Sequence, residues 1–272
     1  LKATMTRVNR RRFLNSTSAL AAASSLGFFS SSAVARSNSP NDRPRVAVIG
    51  CGGQGTGDGR RATNYGDIVA VCDVDTTHSA YAKAAYTRRM AAKGKEAKID
   101  VYEDYRAVID RKDIEAIICG TVDHWHVKIS AEALKSGKDV YCEKPLGDSV
   151  AEARAVRDVY LKNKDKLATQ HGTQRHAIPN FDRVAEMIKG GAIGELKKIR
   201  VCVGSPPKPC DLPTEPIPEG IDWEAWLGPA PMRGFNKILC PDDVHNHFPA
   251  WRRYREYCTG QLADMGAHHF DI

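Results

Sequence analysis

The sequence has no Cys-x-x-Cys pair, although it holds eight cysteines. A zinc knuckle or a closely spaced redox dithiol therefore has no suitable spacing to work from. It also lacks a run of eighteen apolar residues, so no membrane-spanning helix is expected. Tandem repeats and heptads are absent, which sets aside solenoids and coiled coils. Excess charge is scarce over most of the chain. The chain carries 40 Lys and Arg against 33 Asp and Glu, but residues 1–35 hold Lys2, Arg7, Arg10, Arg11 and Arg12 and no acid. The remainder then has 35 basic and 33 acidic residues, and this near-neutral body gives no electrostatic reason to expect a nucleic-acid partner. What is present is an ordinary globular mixture, 42% apolar and 27% charged over 272 residues, long enough for two domains.

The basic start has the order of an export signal. Arg10-Arg11-Arg12-Phe13-Leu14 places paired arginines one residue before Phe-Leu, the twin-arginine pattern. An Ala- and Ser-rich stretch over 16–32 follows, and Ala33-Val34-Ala35 supplies a small-x-small cleavage cue. These features predict a signal over 1–35, a linker over 36–44 and a periplasmic location. Leu1 is not an initiator and Met5 precedes the arginines, so translation is expected to start at Met5. The abrupt end at Ile272 within an apparent helix predicts that this is a piece of a longer protein.

From Arg45 onwards, short apolar runs alternate with helical stretches. The runs Arg45–Ile49, 68–72, 115–119 and Asp139–Cys142 read as buried parallel strands, and 77–92, 124–137 and 148–164 as helices. That alternation predicts an α/β domain over 45–175, a doubly wound parallel sheet with 167–170 as a further strand. Cys51, Cys72, Cys119 and Cys142 fall in or beside those strands, as small apolar residues do, whereas Cys210, Cys240 and Cys258 lie in loop-like sequence where pairing after export is open. A helix over 180–190 and an alternating strand over 196–203 would begin a second domain, 176–272. The proline-rich stretch 205–218 would be an irregular loop.

Gly50-Cys51-Gly52-Gly53-Gln54-Gly55 fits G-x-G-x-x-G between the first strand and a helix. Gly50 would permit the turn, Gly52 would let the backbone approach a pyrophosphate, and Gly55 would allow close helix–strand packing. Asp73 ends the second strand, where a carboxylate can accept the hydroxyls of an adenosine ribose and repel a 2′-phosphate. Dinucleotide binding follows, with NAD favoured over NADP, although Arg60 and Arg61 could soften that preference. Thr121, Asp123, His124, Trp125 and His126 form the end of the third strand and open a helix. The histidines there are candidates for contact with a nicotinamide, or Asp123 is a helix cap and Trp125 a packing residue. Glu143-Lys144-Pro145 follows the fourth strand, on the edge where open α/β sheets bind their ligands.

Together these motifs resemble the glucose–fructose oxidoreductase/inositol dehydrogenase (Gfo/Idh/MocA) family. Residues 226–231, Trp-Leu-Gly-Pro-Ala-Pro, and 260–271, which contain Asp264-Met265-Gly266-Ala267-His268, resemble further family segments. The sequence carries Thr121-Val122 where the family often has Thr-Pro. The resemblance implies a Rossmann domain followed by an α/β domain on a mostly antiparallel open sheet, incomplete here, that commonly mediates homo-oligomerisation. It implies that Gly50, Gly52, Gly53, Gln54, Gly55, Asp73, Thr121, His126 and Glu143 hold NAD, with Glu143 on the nicotinamide-side ribose. It also implies that Lys144 bonds the reacting oxygen, and that Asp264 and His268 form a proton-handling dyad. Four-residue spacing would place those two on one helical face, so that Asp264 orients His268. No metal is expected.

The activity so implied is NAD(P)-dependent hydride transfer at a secondary hydroxyl of a sugar, sugar acid or cyclic polyol. Arg175, Trp251 and Arg252 are candidate substrate contacts, since sugar faces stack on aromatics and guanidinium forks bind hydroxyls or carboxylates. Export leaves two alternatives: a glycosidase or epimerase using transient oxidation by a trapped cofactor, and a non-catalytic NAD- or sugar-binding protein.

Overall fold

The computed structural model describes residues 43–242, 244 and 249–271. The signal expected over 1–35 lies outside the described residues, as does nearly all of the 36–44 linker. Six parallel strands form one sheet in the order β3-β2-β1-β4-β5-β6. They are β1 (Arg45–Ile49), β2 (Asp67–Cys72), β3 (Asp100–Tyr102), β4 (Ala116–Cys119), β5 (Asp139–Cys142) and β6 (Thr169–His171). The helices between them are α1 (Gly53–Ala62), α2 (Thr76–Ala91), α3 (Tyr105–Ile109), α4 (His126–Lys135) and α5 (Val150–Asn163). The doubly wound expectation therefore holds. The strand order reverses between β1 and β4, which opens a crevice at their carboxyl ends.

Period-two alternation splits the central strands between two cores. Ala47, Ile49, Ile117, Cys119 and Val140 face one core with Leu134 of α4, and Val48, Val71 and Ile118 face the other with Tyr86 of α2. Both faces being covered explains why the strands read as unbroken apolar runs. β3 gave no such signal: it is three residues long and none of them is buried.

The second region is mostly irregular, with α6 (Pro179–Lys189), α7 (Trp223–Leu227), α8 (Gln261–Asp264) and α9 (Gly266–Phe270). The strand expected over 196–203 is not formed: those residues lie in no strand, and Leu196 and Ile199 are exposed. A strand needs a partner for its N–H and C=O groups, and none of the described residues supplies one. Aromatic packing replaces sheet here, with Trp223 stacked on Trp226 at 4.7 Å and Phe235, Trp251 and Tyr257 in the same cluster. All eight cysteines are free thiols, and Cys240 and Cys258 are buried in or beside that cluster rather than in open loops. Among the described residues no helix is long and apolar enough to cross a membrane.

α7 sits on the Rossmann domain. Trp125 Nε1 donates to the carbonyls of Ala225 and Trp226, each at 3.1 Å. His124 Nε2 lies 3.0 Å from the Trp226 carbonyl as well. The second region is thereby fixed over the crevice that the sheet opens.

Candidate active site

The turn from β1 to α1 is held by two close approaches. Gly50 has φ 86°, and a Cβ there would lie 2.5 Å from the Thr121 nitrogen. At Gly55 it would lie 1.9 Å from the Gly50 carbonyl oxygen, so only glycine lets α1 start this close to the turn. Gly52 differs, because nothing lies within 4 Å of its Cβ position and it faces open space. No side chain caps the amino end of α1, and its first turn holds no acid. Free N–H groups and a positive dipole end therefore face the crevice, as a pyrophosphate requires. Gly55 does not line the crevice; its contribution is the close packing.

The crevice is a cavity of about 780 Å³. Gly50, Gly52, Gly53 and Gln54 line it, with Asp73, Thr121, Glu143 and Lys144 around them. Asp73 is locked to the glycine turn: its Oδ2 accepts from Cys51 N at 2.5 Å and its Oδ1 from Asp75 N at 2.9 Å. His78 stands 3.8 Å from it. The open glycine turn, the uncapped helix end and the fixed carboxylate together fit an NAD dinucleotide.

Deeper in, Lys144 Nζ donates to Asp264 Oδ1, and both side chains are buried. Arg252 Nε stands 3.6 Å from Asp264 Oδ2, with its guanidinium 4.1 Å over the Trp251 ring. Lys144, Trp251 and Arg252 all line the cavity. One carboxylate held between two cations leaves this wall with net positive charge, suited to a developing oxyanion.

The dyad geometry differs from the expectation. The helix breaks at Met265, between α8 and α9, and Asp264 turns to Lys144 and Arg252 instead of His268. A buried carboxylate is stabilised far more by two cations than by a neutral imidazole, and that decides its partner. His268 is buried and does not line the cavity. Burial, the Lys144 ammonium and Arg175 lower its pKa. Its buried Nδ1 has no hydrogen-bond partner among the described residues.

Neither histidine of the 123–126 turn is free for a nicotinamide. His126 has Nδ1 2.8 Å from the Pro145 carbonyl and Nε2 3.1 Å from the Thr121 carbonyl, so it braces the two crevice loops. His124 packs edge-on against Trp226, and burial pushes its pKa down to about 4. Asp123 is not a cap either, since Val122 holds the cap position without a side-chain bond. Asp123 is instead a buried acid at the cavity wall, pushed up to about 8 by burial. Arg175 does not line the cavity; it bonds His269 Nδ1 at 2.8 Å.

Sequence reasoning missed Asp123 as a chemical group and missed Asp58 altogether. Asp58 lies one helical turn after Gln54, a spacing that pointed to it. Nothing local marked Asp123, because the groups that act on it include Arg252 and Cys258, both remote in sequence.

Residues 44–171 match the Gfo/Idh/MocA oxidoreductase family's NAD-binding Rossmann fold, and residues 208–272 match its C-terminal alpha/beta domain. An inositol 2-dehydrogenase of Rubrobacter xylanophilus is 32% identical over 57% of this chain and 42% of its own. An inositol 2-dehydrogenase/D-chiro-inositol 3-dehydrogenase of Lactiplantibacillus plantarum is 29% identical over 56% of this chain and 41% of its own. The solved myo-inositol dehydrogenase of Lactobacillus casei, in complex with NAD(H) and myo-inositol, is 28% identical with a TM-score of 0.48. The match covers 56% of this chain and 43% of that one. The chain spans less than half the length of each of these relatives.

Proposed function

The chain belongs to the Gfo/Idh/MocA oxidoreductase family, and from that premise we propose that it oxidises a secondary hydroxyl of a sugar or cyclic polyol, with NAD as cofactor. The observation that carries this reading is the meeting of Lys144 and Arg252, both on the wall of the glycine-lined cavity, on the buried carboxylate of Asp264 behind that wall. When bound, NAD supplies the hydride acceptor. The protein's own residues do the rest. Gly52 and the amino end of α1 would hold the NAD pyrophosphate, and Asp73 its adenosine ribose. Lys144 donates a hydrogen bond to the substrate oxygen and stabilises negative charge developing on it. His268, kept neutral near pH 7 by burial and nearby cations, accepts the hydroxyl proton. Asp264 and Arg252 fix the lysine, and Trp251 offers an apolar face for the ring of a sugar or polyol.

The signal-like residues 1–35 support export through the twin-arginine route as part of the same proposal. The test incubates the full-length protein and NAD with inositol isomers, aldoses and uronic acids. Reduced-nicotinamide absorbance with at least one of them is the expected result. Aryl-glycoside cleavage without net reduction would replace this reading with the hydrolytic one, and silence in both assays would leave a binding protein.

A further inference from the structure

Beneath the glycine turn two acids meet on one amide. Gln54 Nε2 lies 3.2 Å from each carboxylate oxygen of Asp58 and 3.1 Å from Glu143 Oε1. Tyr141 donates to the same Oε1 at 3.0 Å, and the Lys144 backbone N–H donates to Glu143 Oε2 at 3.2 Å. Gly172 backs the carboxylate so closely that a Cβ there would lie 2.9 Å from it. Asp58 and Glu143 are 7% and 6% exposed, too dry for two adjacent negative charges without a shared proton. Glu143 lines the cavity, whereas Asp58 stands behind it and touches no ligand space.

We propose that Asp58 is a positioning residue for the cofactor site: its carboxyl proton, with Gln54, holds Glu143 as a carboxylate aimed at the dinucleotide, and loss of that proton pushes Glu143 out of place. The inference rests on the NAD-site reading above and adds a residue that no motif contains.

The charged surroundings favour this arrangement. Arg61 bonds Asp58 at 2.9 Å, but it is 76% exposed and screens weakly. Tyr86 from α2 packs on the adjoining Gly59 and stays neutral because burial raises its pKa. On the Glu143 side stand Lys144, Tyr141, His126, His171 and His268 with the Cys119 and Cys142 thiols. Burial lowers the pKa of all three histidines, so near neutrality Lys144 and Arg61 are, among the described residues named here, the full cations facing the pair. Burial and then Glu143 push the Asp58 pKa up to about 7. The linked proton therefore leaves within the physiological range.

The experiment titrates the full-length protein with NADH between acidic and alkaline pH, reading nicotinamide fluorescence. Each pH unit above the midpoint should weaken wild-type binding about tenfold, the slope of a one-proton linkage. Asp58→Asn keeps the shape and is neutral at every pH, so its affinity should stay flat and near the low-pH wild-type value. Calorimetry of the wild type in buffers of different ionisation enthalpy gives a second readout that needs no variant. NADH binding should take up one proton on the alkaline side and none on the acidic side. A pH-independent wild type, an Asp58→Asn protein with unchanged pH dependence, or absence of proton uptake each overturns the inference while leaving the NAD site intact. No NADH binding by the wild type at any pH would overturn the cofactor reading itself.

Discussion

Lys144 Nζ meets Asp264 Oδ1 across 120 residues of chain. Lys144 follows β5 of the Rossmann sheet, and Asp264 ends α8 of the second region. The contact joins the two regions at the carboxyl edge of the sheet, and each charge depends on the other for its burial. Replacing Lys144 with Met should lower kcat by about 10²–10³-fold, the size of effect seen when one oxyanion donor is lost. NADH affinity should change little, so single-turnover kinetics and a fluorescence titration should separate the two effects. Asp264→Leu removes the lysine's partner and should cost on the order of 3–5 kcal/mol of stability by denaturant unfolding. Asp264→Asn should cost less.

His268 should set the acidic limb of the pH–rate profile. Burial and the cations Lys144 and Arg175 favour its neutral form, so the limb should lie below the ordinary histidine value of about 6.5. In Lys144→Met one of those cations is gone and any residual activity should show the limb moved upward. A limb that stays in place in His268→Gln would assign the proton acceptor elsewhere.

Asp123 makes a prediction about stability. Burial raises its pKa to about 8, so between the usual carboxylate range and that value the folded protein binds more protons than the unfolded chain. Stability from this group is complete at low pH and is lost as pH rises through about 8. Each pH unit in that window costs about 1.4 kcal/mol. Asp123→Asn mimics the protonated acid. Its unfolding free energy should match wild type near pH 4 and exceed it by a few kcal/mol near pH 8. Equal curves at both pH values would contradict the buried-acid assignment.

Asp73 should govern the choice between NAD and NADP. With one bond each to Cys51 N and Asp75 N, its carboxylate is fixed and still has lone pairs for a ribose. Asp73→Ser removes the charge that repels a 2′-phosphate. It should shift the NADP-to-NAD affinity ratio by about tenfold or more, worth about 1.4 kcal/mol. Paired titrations with NADH and NADPH read this directly, and an unmoved ratio would release Asp73 from that role.

Much of this protein was legible because its signals are local. The runs at Arg45–Ile49 and Asp139–Cys142 announce strands buried on both faces, and the glycines after β1 announce a turn that no side chain fits. Lys144 and Asp73 could be placed because a strand's carboxyl end fixes where the next residue stands. The partner of Asp264 was not legible. Helical spacing pointed to His268, but the break at Met265 and the arrival of Lys144 and Arg252 from elsewhere in the chain decided otherwise. The same holds for the failed strand over 196–203, whose pattern was right and whose partner is missing among the described residues.

The sequence by itself determined the sheet apart from β3, and the crevice at its carboxyl edge, since periodicity and turn chemistry act between near neighbours. Tertiary structure alone decided which buried charges neutralise one another, that His126 braces two loops and that Asp58 shares an amide with Glu143. Burial and long-range pairing depend on segments that only folding brings together, and a buried charge takes whichever partner arrives.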